Sequence, residues 1–165
     1  MPHNRGTRGC RPTPSDRGSA RQSGTVKCKF YTQSYTLSVT WDDATLEAVV
    51  RELRERRGDS TGIEVKSTAG GAPSLGDTLC AFSNLPDGGT IILGLDEARG
   101  FIPVGLGDIA GLEGAVASMA RTSVTPPARC EFQTLTFEGA LVLVAHVEGL
   151  PLAQRPARHG GIAYL

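Results

Sequence analysis

A mixed α/β layer is the fold class this 165-residue sequence predicts, an α+β arrangement whose mixed β-sheet has five or six strands with about three helices. Three observations carry the prediction. Two apolar runs bounded by turn residues, GIEVKS and GTIILGL, read as strands. Three longer segments repeat apolar residues at helical spacing. Late in the chain, Cys130 to Phe137 and Ala140 to Val147 alternate around Glu138 and Gly139, as a β-hairpin does. With 39% hydrophobic and 21% charged residues, the chain suffices for one domain with a real core and not for two large ones.

Residues 1–24 are rich in Arg, Gly, Pro and Ser and cannot bury enough apolar surface to offset ordering, so they read as a disordered basic tail. Such an Arg/Gly segment suits a flexible RNA-binding arm; a leader without function, or a misassigned start, is the plainer alternative. Over residues 25–40, apolar side chains alternate at Val26, Cys28 and Phe30, then at Tyr35, Leu37 and Val39, which predicts a strand-like extension. Residues 41–165 form the domain proper. Thr40 and Asp43 make a capping signature ahead of Leu46, Val49, Val50 and Leu53, and Gly58 is a natural stop, so a helix is expected from Asp42 to Arg57.

Glu64 and Lys66 follow on the first strand. Ser74 and Asp77 repeat the capping pattern before Leu79, Cys80 and Phe82, which places a second helix over Leu75 to Asn84. Asp87, Gly88 and Gly89 then turn the chain into Thr90 to Leu95, apolar on both faces and therefore central. A third helix over Asp108 to Arg121 shows Ile109, Leu112, Val116 and Met119 on one side, and Pro126 and Pro127 bar its continuation. GIAYL at the end reads as the start of another strand.

Charge and cysteine usage narrow the function. Through Tyr35 the chain has seven Lys or Arg against one acid; of 17 basic and 17 acidic residues in all, ten and sixteen remain, a +6 segment ahead of a −6 domain. An acidic domain is an awkward non-specific binder of phosphates, and whatever basic patch it has must be local. Arg51, Arg54, Arg56, Arg57 and Lys66 are concentrated in one stretch; with Glu52 and Glu55 interleaved, they serve equally as a solvated helix face. Cys10, Cys28, Cys80 and Cys130 form no Cys-x-x-Cys pair, which leaves no zinc knuckle or redox motif; reduced thiols and a cytoplasmic location are the default. No apolar run approaches the roughly 20 residues of a membrane span, and the start lacks a secretion signal. GGAPSLGD lacks the Gly-Lys-Ser/Thr ending of a phosphate loop. His146, mid-strand among Val144, Ala145 and Val147, reads as a satisfied core or edge histidine, and His159 as a solvated loop residue.

The chemistry concentrates between Arg57 and Glu97. Strand alternation puts Glu64 and Lys66 on one face and Ile63 and Val65 on the other, with Asp59 nearby in sequence. A carboxylate that holds Mg²⁺ or Mn²⁺ beside an ammonium that meets a phosphate permits nuclease chemistry. The same pair also suits a surface ion pair worth about 0–1 kcal/mol.

GIEVKS, AFSN, DGGTIILGLDE and FIPVG occur in that order, followed by LVLVAHV and the pair Arg155 and Pro156. This ordered set resembles the Schlafen AlbA-2 domain family, over about Trp41 to Leu165. The resemblance implies a nucleic-acid-binding module, for DNA or RNA, regulatory and of the kind found in transcriptional regulators. Because members continue past this point with Tyr-x-Arg and a glycine, it also implies a C-terminal truncation, with further domains of a longer protein as possible partners. Lys66, Arg54, Arg57 and Asn84 are the implied nucleic-acid contacts; an asparagine ending a helix is also ordinary structural chemistry. Some members are metal-dependent endoribonucleases, and the matching catalytic set would be Asp59, Glu64 and Asp96 as ligands of Mg²⁺ or Mn²⁺, with Lys66 on the phosphate; Glu97 competes with Asp96 for the third place. A protein-interaction domain with an acidic surface is the third reading.

Overall fold

The structure is a computed structural model and describes residues 41–165. The basic tail, the strand-like extension of residues 25–40 and Thr40 of the expected cap lie outside the described residues. Helix α1 (Asp43–Arg56) forms on Leu46, Val50 and Leu53, which share one face and are all buried. Asp42 is its cap: Oδ1 accepts from the Thr45 N–H at 2.7 Å, and this bond holds the carboxyl below the usual carboxylate range. Asp43, expected to share the capping role, instead accepts from the Thr136 N–H at 3.0 Å and ties the helix start to the sheet. The helix ends on Arg57, whose φ of 60° is left-handed, and not on Gly58.

The main sheet is mixed, as expected, and has four strands. β1 (Ile63–Lys66) runs parallel to β2 (Gly89–Leu93), with helix α2 (Gly76–Asn84) between them in sequence. Farther along the chain lie β6 (Cys130–Phe137) and β7 (Ala140–Val147), the hairpin read from sequence. β7 pairs antiparallel with both β2 and β6, which gives the order β1-β2-β7-β6. The additional strands expected in this sheet are instead short ladders beside it. β3 (Leu95–Asp96) pairs with β4 (Ile102–Pro103), and β5 (Val124–Thr125) pairs with β8 (Arg158–His159). The run expected as one strand over Thr90 to Leu95 breaks at Gly94, whose φ of 107° turns the chain. GIAYL does not begin a strand; Ile162 only bridges back to His159.

Helix α3 (Ile109–Thr122) is capped by Asp108, which accepts from the Gly111 N–H at 2.9 Å. Helix α2 has no side-chain cap, against the expectation for Ser74, because Leu75 occupies that position. Two cores separate the layers. Leu46, Val50 and Leu53 of α1 meet Val65, Ile92, Leu135 and Val144 on one face of the sheet. Leu79 and Phe82 of α2 with Leu112 and Val116 of α3 meet Ile91, Leu93 and Leu143 on the other. Each fully buried aliphatic side chain contributes roughly 1.5–3 kcal/mol, which explains why β2, buried at every position, anchors both layers. Among the described residues no helix is long and apolar enough to cross a membrane.

Candidate nucleic-acid interface

β1 is an edge of the described sheet, and its outward groups are closed by its own preceding turn. Thr90 N–H donates to Gly62 O and Gly94 N–H to Lys66 O, so the even-numbered residues of β1 face β2. The odd-numbered N–H groups face away. Ile63 N–H donates to Ser60 O at 2.9 Å, and Val65 N–H to Asp59 Oδ1 at 3.2 Å, which blunts the edge. Asp59 is thereby drawn beside the strand carrying Glu64 and Lys66.

These side chains form one electrostatic cluster. Lys66 Nζ is paired with Glu64 Oε1, and that hydrogen bond raises the lysine above its usual range, helped by the charges of Asp59 and Glu97. Desolvation, the Glu64 and Glu97 charges and a hydrogen bond with Glu64 push Asp59 up to about 6. Glu97 approaches from the turn after β3; a Cβ built on Gly58 would lie 3.9 Å from its Oε1. Asp96 is turned elsewhere. Its Oδ2 accepts from Arg99 Nε at 2.7 Å, which lowers its carboxyl below the usual range. Of the two adjacent acids, Glu97 is the one whose charge acts on Asp59 and Lys66.

The set Asp59, Glu64 and Asp96 does not fit a shared Mg²⁺ or Mn²⁺. Asp59 serves the Val65 N–H, Glu64 the Lys66 ammonium and Asp96 the Arg99 guanidinium. Among the described residues no group of three His, Cys, Asp or Glu side chains is placed to hold one ion.

The basic residues divide into fixed and available groups. Arg54 donates to Gly100 O at 3.0 Å, to Phe101 O at 3.1 Å and to Glu138 Oε1 at 2.8 Å, and its guanidinium sits 5.4 Å from the Phe137 ring centroid. Its fork is occupied in pinning α1 to the hairpin turn. Arg56 pairs with Glu52 at 2.5 Å. Arg51 and Arg57 are exposed and make no ion pair among the described residues.

Asn84 is buried at 8% exposure. Its amide donates to Ala157 O at 3.1 Å and Tyr164 O at 2.7 Å, and its Oδ1 accepts from the Ala157 N–H at 2.6 Å. Both amide hydrogens are thus used in docking the C-terminal segment onto α2. His146 is half-buried beside Thr90 Oγ1 at 3.3 Å, a satisfied histidine on the inner strand β7 and not at a sheet edge. His159 is not merely solvated: Nδ1 lies 2.6 Å from Ser123 O, and its ring covers Gly76 at the start of α2. Sequence order gave no signal for that contact, which joins residues 36 apart.

Comparison with known proteins agrees with this architecture. No curated protein matches the chain. The N-terminal domain of a RecG-related protein from Nitrosomonas europaea, named for an ATP-dependent DNA helicase, is similar at 28% identity and a TM-score of 0.56, over 71% of this chain and 84% of that one. The DIP2311 protein from Corynebacterium diphtheriae is similar at 20% identity and a TM-score of 0.44, over 70% of this chain and only 23% of that one. The profile of the Schlafen, AlbA_2 family matches residues 59–165, the stretch that contains β1, the acid–lysine cluster and every later element. With well over half of the sequence matched, the chain belongs to the Schlafen, AlbA_2 family.

Proposed function

We propose that this chain is a nucleic-acid-binding module, with its contact surface at the C-terminal turn of α1 and the edge of β1. The observation that carries the reading is the position of Arg51 and Arg57 on the last two turns and the end of α1, exposed and without an ion pair among the described residues; Arg121 and Arg129, likewise exposed and unpaired, lie on α3 and just ahead of β6. Arg57 directly precedes the turn that delivers Asp59 to Glu64 and Lys66. Membership of the AlbA_2 family and the likeness to a domain of a RecG-related protein support it. The +6 charge of the first 35 residues supplies further phosphate neutralisation to an acidic domain.

The test is binding of labelled single-stranded RNA, transfer RNA and duplex DNA by the full chain, in EDTA and in Mn²⁺, over a range of salt. Binding should be strongly salt-dependent in EDTA, and Arg51→Ala and Arg57→Ala should each flatten the slope by about one unit. Glu64→Gln should keep or slightly improve affinity, because it removes a negative charge beside the contact surface. Cleavage that needs Mn²⁺ and disappears in Glu64→Gln would replace this reading with an endoribonuclease. Absence of binding to all three probes would overturn it in favour of a protein partner for the acidic surface.

A further inference from the structure

The 3₁₀ turn Glu97–Arg99 that links β3 to β4 is fixed by its own backbone. Gly100 N–H donates to Glu97 O at 2.9 Å and Phe101 N–H to Asp96 O at 2.8 Å, and the Phe101 side chain, 2% exposed, anchors the turn in the core. From the helix side, Arg54 holds the Gly100 and Phe101 carbonyls, which sets the turn beside the end of α1. Glu97 of the same turn reaches the residue after Arg57: a Cβ on Gly58 would lie 3.9 Å from its Oε1. Arg99 therefore stands on a firm support next to the place where Arg57 lies.

Its side chain is held as well. Asp96 Oδ2 accepts from Arg99 Nε at 2.7 Å, and the aspartate side chain is 19% exposed against 60% for the arginine. The carboxylate is thus the inner partner and the guanidinium the outer one. A guanidinium has five N–H donors. The one on Nε goes to Asp96; those on the two Nη atoms make no hydrogen bond among the described residues. Arg54, by contrast, spends Nε and both Nη groups on three partners, and Arg56 spends Nη2 on Glu52. An arginine fixed through Nε with its outer Nη edge free suits a bidentate anion, because two parallel N–H···O bonds need both Nη groups in one plane and facing one way. Fixing that plane in advance removes part of the rotamer entropy that an unrestrained arginine loses on binding.

We infer that Arg99 is a phosphate contact of this module, its Nη edge on a phosphodiester of the nucleic-acid backbone, and that Asp96 is the positioning residue that holds it there. This inference rests on the nucleic-acid reading above and extends that surface from the end of α1 to the turn after β3. It gives Asp96 a task through a cation of its own chain, in place of the metal ligation that the family resemblance implies. A phosphate and not a base is the fit: the flanking Ala98 and Gly100 supply neither an aromatic ring to stack on nor a polar side chain to read a base edge.

Asp96 gives the test an opposed sign. If its pairing with Arg99 were only a surface ion pair, removing the carboxylate would leave a more positive surface, and binding would tighten. If Asp96 positions Arg99, Asp96→Ala weakens binding, and Asp96→Asn, whose Oδ1 still accepts from Nε, restores it. The experiment measures binding of labelled single-stranded RNA and duplex DNA by the full chain in EDTA over a range of salt, with urea unfolding of each variant alongside. Arg99→Ala should weaken binding about tenfold and flatten the salt slope by about one unit. Arg99→Lys should regain the slope and not the affinity, since an ammonium keeps the charge without the fork. Asp96→Ala should weaken binding about threefold or more, and Asp96→Asn should bind at least as tightly as the wild type. Tighter binding by a folded Asp96→Ala, wild-type affinity and slope in Arg99→Ala, or wild-type affinity in Arg99→Lys would overturn the inference.

Arg57→Ala, measured in the same series, separates the two levels of inference. If it flattens the salt slope and Arg99→Ala does not, the module stands and the Arg99 contact falls. If the wild-type chain binds none of the probes, both fall together.

Discussion

Asp59 is held between opposing demands. Its Oδ1 accepts from the Val65 N–H, which favours the ionised form, while desolvation and the charges of Glu64 and Glu97 disfavour it and carry the carboxyl from an ordinary 3.8 up to about 6. Between these values the folded chain keeps a proton that the unfolded chain releases, so the Asp59 contribution to stability falls as pH rises from about 4 to 6 and stays lost above that. Asp59→Asn preserves the acceptor for Val65 and removes the charge. It should be more stable than the wild type near pH 7.5 by on the order of 1 kcal/mol, after discounting for the exposure of the carboxyl, and indistinguishable near pH 4. Urea unfolding at the two pH values checks this; a variant less stable at both would show that the charge itself is needed. Glu64 and Lys66 were legible as neighbours because strand alternation is a property of the backbone. The choice between Asp96 and Glu97 was not legible, because it depends on Arg99 closing a local ring on Asp96.

Helix α1 was the most legible element, since an apolar period of 3.6 and buried Leu46, Val50 and Leu53 say the same thing at two levels. Its ends were harder to read: three polar residues competed for the start, and the sheet decided among them by taking Asp43 for Thr136. At the other end, Gly58 suggested the stop, yet the left-handed position falls on Arg57. A non-glycine residue there costs roughly 1–2 kcal/mol, and it persists where the surroundings or a function retain it. Arg57→Gly should therefore raise stability by about 1 kcal/mol while weakening nucleic-acid binding and flattening its salt slope. Urea unfolding and binding, measured on the same preparation, check both halves. A gain in stability with affinity unchanged would assign Arg57 to the helix end alone.

At the scale of the molecule, the four-stranded order was not readable from local pattern, because the antiparallel pairing of β2 with β7 joins segments about 50 residues apart without a short turn. The place of Arg99 beside α1 was hidden for the same reason: it depends on Arg54 reaching Gly100 O, 46 residues away. What the sequence does display is the division of charge, +6 through Tyr35 and −6 after it. If the module binds through local contacts alone, Arg51, Arg57 and Arg99 account for the salt dependence. If the first segment also neutralises phosphates, Arg5, Arg8, Arg11, Arg17 and Arg21 add to it. Each arginine engaged with single-stranded nucleic acid contributes about 0.7 to the slope of log affinity against log salt. Changing all five to alanine in the full chain should lower that slope by about three to four units if all five are engaged, with the unfolding midpoint of the domain unchanged. A slope that stays within one unit of the wild type would confine the contact surface to the folded domain, and would leave an acidic protein depending on its few available arginines.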